Sequence, residues 1–203
     1  MEGGDKIKLV KLKAIEATPE NFKDYGQVIQ SSSDGEEFGP HDAQLDLSRG
    51  IPRFYIMQLK DRGLNFSTIT HHANVTQCLG SIGGHEWYLG VAKPSIVDLY
   101  IPPTAPSVEE VNDSSANVVE PSKKIAKSPC GHLYVPPSVE EVQLFKVMGP
   151  KFLKLNVGTW HAGPLFVQGA MDFYNLELSN TNVVDHTTHN FRQENGVQFV
   201  IDE

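Results

Sequence analysis

The stretch NVGTWHAGPLF, residues 156–166, sets an indole and an imidazole side by side between Gly158 and the Gly163-Pro164 pair. Glycine and proline at these spacings mark turns, so Trp160 and His161 occupy a short pinch between two breaks. Purely structural strands rarely spend Trp-His there, which makes His161 a candidate for chemistry. The plainer reading is a wall residue packed beside Trp160. The same punctuation runs outward along the chain. Strand-like pieces stand at Arg53–Leu59, Glu86–Ala92, Ser95–Ile101, Gln143–Val147, Lys151–Val157, Met171–Leu178 and Val197–Ile201. They are rich in β-branched and aromatic residues and bounded by Gly, Pro, Asn and Asp. Repeated short strands of this kind predict an all-β barrel or sandwich.

One short helix is expected near the N-terminus. Thr18-Pro19-Glu20-Asn21-Phe22 offers an N-cap, a proline at N1 and an acid in the first turn. Phe22 and Tyr25 would share a face, and Gly26 would end it. A partial repeat follows. LYIPPTAPSVEEV at 99–111 matches LYVPPSVEEV at 133–142 in nine of ten positions once Thr104-Ala105-Pro106 is removed. Both copies carry Ser three residues before Glu (Ser107 with Glu110, Ser138 with Glu141), a capping-box pattern. The polar stretch between them reads as a loop, so the whole excursion at about 99–135 is expected to be an inserted surface segment.

The chain has 203 residues and fits one domain, 1–203, with that insertion. Its net charge of −8 (17 basic against 25 acidic residues) is spread without runs, which argues against a nucleic-acid partner. Cys78 and Cys130 fit no CxxC motif and read as free thiols. The first residues, MEGGDKIKLVKLKAI, carry no apolar leader. No apolar run approaches the ~18 residues of a membrane span. A cytoplasmic protein without a membrane partner is expected.

A second histidine stretch stands some 85 residues earlier: THHANVTQ, residues 70–77. In a strand Thr70 and His72 share one face and His71 takes the other. Thr70-x-His72-x4-Gln77 followed much later by Asn156-x-Gly158-x-x-His161 resembles the two-part signature of cupins. Within cupins the wording is similar to the ureidoglycolate lyase family, formerly ureidoglycolate hydrolase. The shared pieces are YGQVI at 25–29, SRGIPRF at 48–54, H-x-x-x-TQ at 72–77 and PSVEEVQLF at 137–145. GTWH-PLF at 158–166 and DF at 172–173 complete them.

The resemblance implies a double-stranded β-helix (a jelly-roll barrel), usually a homodimer. It also implies the splitting of ureidoglycolate into glyoxylate and urea in allantoin and purine nitrogen catabolism. That chemistry needs a base for the substrate hydroxyl, an acid for the leaving nitrogen and a clamp for the carboxylate. Imidazoles suit the proton work because they titrate near neutrality. On this reading His72, His161 and Gln77 line the barrel mouth as catalytic residues. The same three are the candidate ligands of a divalent metal. Two imidazoles and an amide are a weak set for Zn²⁺, whereas Ni²⁺ or Mn²⁺ with added water is the alternative. Arg53 and Lys154 are clamp candidates, with Tyr55 and Asn156 two residues from each on the same strand face.

The resemblance breaks in three places. Many members have histidine where this chain has Asn156, and His-Pro where it has Ala162-Gly163-Pro164; Thr70 replaces the first histidine of the general cupin pattern. Asparagine cannot exchange a proton near neutral pH, so a diverged, non-catalytic binder of a small carboxylate or ureide is the second reading. A metal-dependent cupin enzyme of different chemistry is the third. The remaining histidines are expected to be structural: His71 in packing, His41 and His85 in loops, His132 in the duplicated segment, and His186 and His189 in a polar loop.

Overall fold

The structure is a computed structural model and describes residues 6–97 and 124–202. Among these the strands run, in chain order, β1 (Lys8–Lys13), β2 (Ile15–Glu16), β3 (Gly26–Ile29), β4 (Pro52–Lys60), β5 (Asn65–Phe66) and β6 (Thr68–His71). They continue with β7 (Gln77–Ser81), β8 (Trp87–Ala92), β9 (Ile96–Val97), β10 (Ala126–Lys127), β11 (Leu133–Tyr134) and β12 (Gln143–Val147). The last are β13 (Phe152–Leu155), β14 (Trp160–His161), β15 (Ala170–Leu178), β16 (Thr187–Asn190) and β17 (Val197–Asp202). Helices are short: α1 (Pro19–Phe22), α2 (Thr181–Val184), α3 (Phe191–Asn195) and a 3₁₀ turn at Val139–Glu141. The fold is all-β. Among the described residues no helix is long and apolar enough to cross a membrane.

Two larger sheets form the body. One has the order β16-β6-β14-β8-β12-β2, the other β3-β13-β7-β15-β4. Their facing side chains make one core: Trp87, Leu89 and Val91 of β8 and Phe145 and Val147 of β12 pack with Leu79, Leu153, Leu155 and Phe173 from the other sheet. The alternation along β8 explains this, because period-two spacing sends odd-numbered positions inward. Its even positions face the other way. Tyr88 and Ala92, with Leu144, Ile69 and Trp160, build a second core under a third layer, the sheet β1-β17-β5, through Phe66 and Phe199, with Phe191 of α3 beside them. Each large side chain fully buried in these cores contributes roughly 1.5–3 kcal/mol. Gly90 sits between the layers where Phe66 crosses; a Cβ there would lie 2.3 Å from the ring.

The strands expected from sequence are present, with Ser95–Ile101 described only as β9. Thr18 caps α1 with a reciprocal Asn21 bond. The helix ends at Lys23, however, and Gly26 opens β3, where a side chain would strike the Lys154 carbonyl. Ser138 and Glu141 form the expected capping box. The first repeat copy lies outside the described residues. The end of the expected surface excursion is not a free loop: β11 pairs with β10 on one side and with β9 on the other. That hairpin is fixed to the body by Ser128 Oγ on Thr187 Oγ1 (2.9 Å) and by His132 on His71 (2.7 Å).

Candidate active site

Strand alternation sorts the two residues of the Trp160-His161 pinch into different compartments. Trp160 is buried in the second core and donates its indole N–H to Ser95 Oγ at 2.8 Å. His161 points the other way. It pairs with Thr70 of β6 and Val91 of β8, so Thr70 and His161 share the inner face. His72, two residues beyond Thr70, follows it inward, and its ring centroid is 5.4 Å from that of His161. Gly158 makes the turn before β14 at a φ of +80° and returns its N–H to the His72 carbonyl at 2.7 Å. The two halves of the histidine signature are thus joined by main-chain bonds. His71 goes outward and stacks on Trp160, as a packing residue should.

These histidines open into a cavity of about 270 Å³ between the two sheets. The opposite wall is supplied by β4, β7 and β15. Tyr55, Leu79 and Asn175 form one cross-strand row, and Gln77 and Glu177 form the next. Both imidazoles spend Nδ1–H on the backbone. His72 donates to the Asp185 carbonyl, and His161 to the Thr159 carbonyl at 3.2 Å. A carbonyl only accepts, so each neutral ring keeps its proton on Nδ1 and leaves the Nε2 lone pair free. Burial drives both rings toward the neutral form. It pushes His161 down to about 3, with His72 adding to the effect, and it pushes His72 down against the pull of the Asp185 carbonyl.

Asp185 does more than fix one tautomer. Its carboxylate accepts the main-chain N–H groups of Ala73 and Asn74, each at 2.8 Å. The segment after α2 is thereby tied to the turn after His72. The next residue, His186, enters the cavity with its ring 5.6 Å from that of His72. His186 lies exposed in the irregular segment between α2 and β16, as a polar loop residue should, and the long-range Asp185 clamp is what brings its ring to the cavity. His189 lies in β16, buried against Phe191 and bonded to Asn195, so it shares no helix face with His186.

A buried carboxylate, Glu177, completes the site and is absent from the sequence expectations. Oε1 lies 3.4 Å from Tyr55 Oη, 3.4 Å from Asn182 Nδ2 and 3.7 Å from Arg53 Nη1, while Oε2 accepts from Gln77 Nε2 at 3.1 Å. Such a charge survives burial only with donors around it. Arg53, stacked over the Tyr55 ring at 3.7 Å, is therefore a counter-ion and not an open clamp.

Lys154 and Asn156 do not line the cavity. Lys154 pairs with Cys78 while its neighbours Leu153 and Leu155 fill the inner core, so it lies on the outer face of its sheet. There its ammonium bonds Asn156 Oδ1 at 2.7 Å. The departure from the family at Asn156 thus falls outside the cavity. The candidate metal set does not converge either. Gln77 turns its amide N–H₂ to Glu177, and among the described residues no group of three His, Cys, Asp or Glu side chains is arranged to hold an ion. Both cysteines are free thiols, and burial pushes Cys78 up to about 12. No model of a known protein family matches the chain, and no curated protein matches it significantly.

Proposed function

We propose that the chain is a single cupin-type domain, a double-stranded β-helix, and an enzyme of the ureidoglycolate lyase type that acts in the cytoplasm. The fold reading is supported by the facing sheets and by the way consecutive strands from β6 to β8 and from β12 to β16 alternate between them. The function rests on one observation: His72 and His161 present free Nε2 atoms to a cavity whose far wall carries Glu177.

The reaction's balance fits such a pair. Ureidoglycolate loses the proton of its hydroxyl, the C–O bond becomes C=O, the C–N bond breaks and the urea nitrogen takes up a proton. One proton leaves oxygen and one arrives at nitrogen, so a single imidazole can take it and return it. The second imidazole, beside it, orients the hydroxyl. A neutral base is ready at pH 7 because burial holds both rings unprotonated. No step needs a metal. The partner expected is a second copy of the chain. Among the described residues nine-residue β4 is the outermost strand of its sheet, paired only with β15, and presents exposed Phe54 and Ile56, with Phe54 stacked on Tyr174. An apolar outer strand of this length is a pairing surface.

The test is glyoxylate release from ureidoglycolate by the purified protein, with and without chelator. Release in both conditions supports the reading. A rate no faster than spontaneous decay rejects it.

A further inference from the structure

We propose that Arg62 binds the substrate's carboxylate, and that Gly163 is the residue that admits it. Arg62 follows β4 and lines the same cavity as His161, Gly163 and Pro164. Its guanidinium lies against Gly163: a Cβ there would stand 3.3 Å from Arg62 Nη1 and 3.8 Å from Cζ, a tight contact that a bulkier side chain would turn into a clash.

Charge balance points the same way. The buried Glu177 is matched by Arg53. Arg62 is exposed at the edge of the cavity and has no carboxylate within ion-pair distance among the described residues, so its guanidinium is open to an incoming anion. A guanidinium grips a carboxylate through two parallel N–H bonds. Glu177 stands at the far end of the cavity. Oε1 is crowded by three donors, but Oε2 receives Gln77 alone and keeps acceptor capacity for an N–H group.

The two ends are separated along β4. Glu177 pairs with Arg53 near its start, and Arg62 lies beyond its close. Tyr55, Met57 and Leu59 line the floor between them. Ends nine strand residues apart are too distant for one small ligand to bridge, so the class that fits is a small monocarboxylate held at the Arg62 end with its body toward His161. The identity of that ligand as a ureide rests on the function proposed above; the roles of Arg62 and Gly163 do not.

Ureidoacetate, the substrate without its hydroxyl, cannot react and serves as the probe. Calorimetric titration should show it binding the wild type and losing at least ~10-fold in affinity to Arg62→Gln. Its primary amide should bind both proteins equally. Gly163→Val should reproduce the Arg62→Gln loss without unfolding, because Pro164 already holds residue 163 in the extended region that valine accepts. Gly163→Ala should give a smaller loss. Equal binding of ureidoacetate to wild type and Arg62→Gln overturns the inference. If ureidoacetate does not bind but glyoxylate binds in an Arg62-dependent way, Arg62 keeps its role and the ureide reading fails. If neither carboxylate binds the wild type, the inference falls.

Discussion

The ring of His72 is held by the main-chain carbonyl of Asp185, a residue 113 positions away, and the Asp185 carboxylate holds the turn that follows His72. One aspartate therefore sets a tautomer with its backbone and a loop with its side chain. Asp185→Ala should strip two charge-assisted bonds from part-buried N–H groups and lower unfolding free energy by about 1–3 kcal/mol, read from urea denaturation. Turnover should fall with it, since His186 enters the cavity on the same segment. Asp185→Asn, which keeps one acceptor oxygen, should recover part of both.

His161 is half-buried and bonded only through Nδ1 to Thr159. His161→Ala should cut glyoxylate release by at least ~100-fold. The melting temperature should move by no more than a few degrees, because the lost ring faces a cavity and not the packed core. Unfolding of this variant would make His161 structural.

Acid should destabilise the fold over a defined range. His71 and His161 are both pushed down to about 3, in each case chiefly by burial. Unfolded imidazoles bind protons below about 6.5, while the folded ones resist until about 3. The unfolded state then holds more protons, so stability declines as the pH falls from about 6.5 toward 3 and is level above that range. His132, which faces His71 and is also lowered by burial, contributes in the same direction. Melting temperatures across this range should show the slope, and His71→Gln should make it shallower.

Arg53 and Arg62 should separate in their effects. Arg53→Ala leaves a buried carboxylate without its counter-ion and should cost about 1–3 kcal/mol of stability, discounted because Arg53 is half exposed. Arg62→Ala should leave the melting temperature unchanged. The opposite pattern would exchange their roles.

The edge of β4 predicts a dimer. Light scattering should give twice the chain mass of 22.5 kDa. Phe54→Lys with Ile56→Lys should halve it, since a charge on an exposed apolar edge blocks pairing. A wild-type monomer would remove this expectation.

The all-β class and the His72–His161 pairing were legible because both depend on local period-two patterns and on glycine turns. Glu177 was not. In MDFYNLEL it reads as an ordinary polar position, and its burial exists only once β15 lies between β4 and β7. His186 was hidden for a similar reason: VVDHTTHNF has no apolar framework, and the Asp185 bonds that carry it inward span more than 100 residues. Arg62 belongs to no motif, and its place at the cavity exists only once Gly163 lies beside it. Lys154 was misplaced because residues two apart share a face, but the spacing does not say which face is inside.

The two residues of β14 also constrain how this chain can change. Trp160 belongs to an oily layer and His161 to a polar chamber, with no position between them. Lengthening or shortening the neighbouring turn by one residue would exchange the two, seating an indole among the proton carriers and an imidazole in the grease. Insertions and deletions beside this strand preserve both compartments only in steps of two.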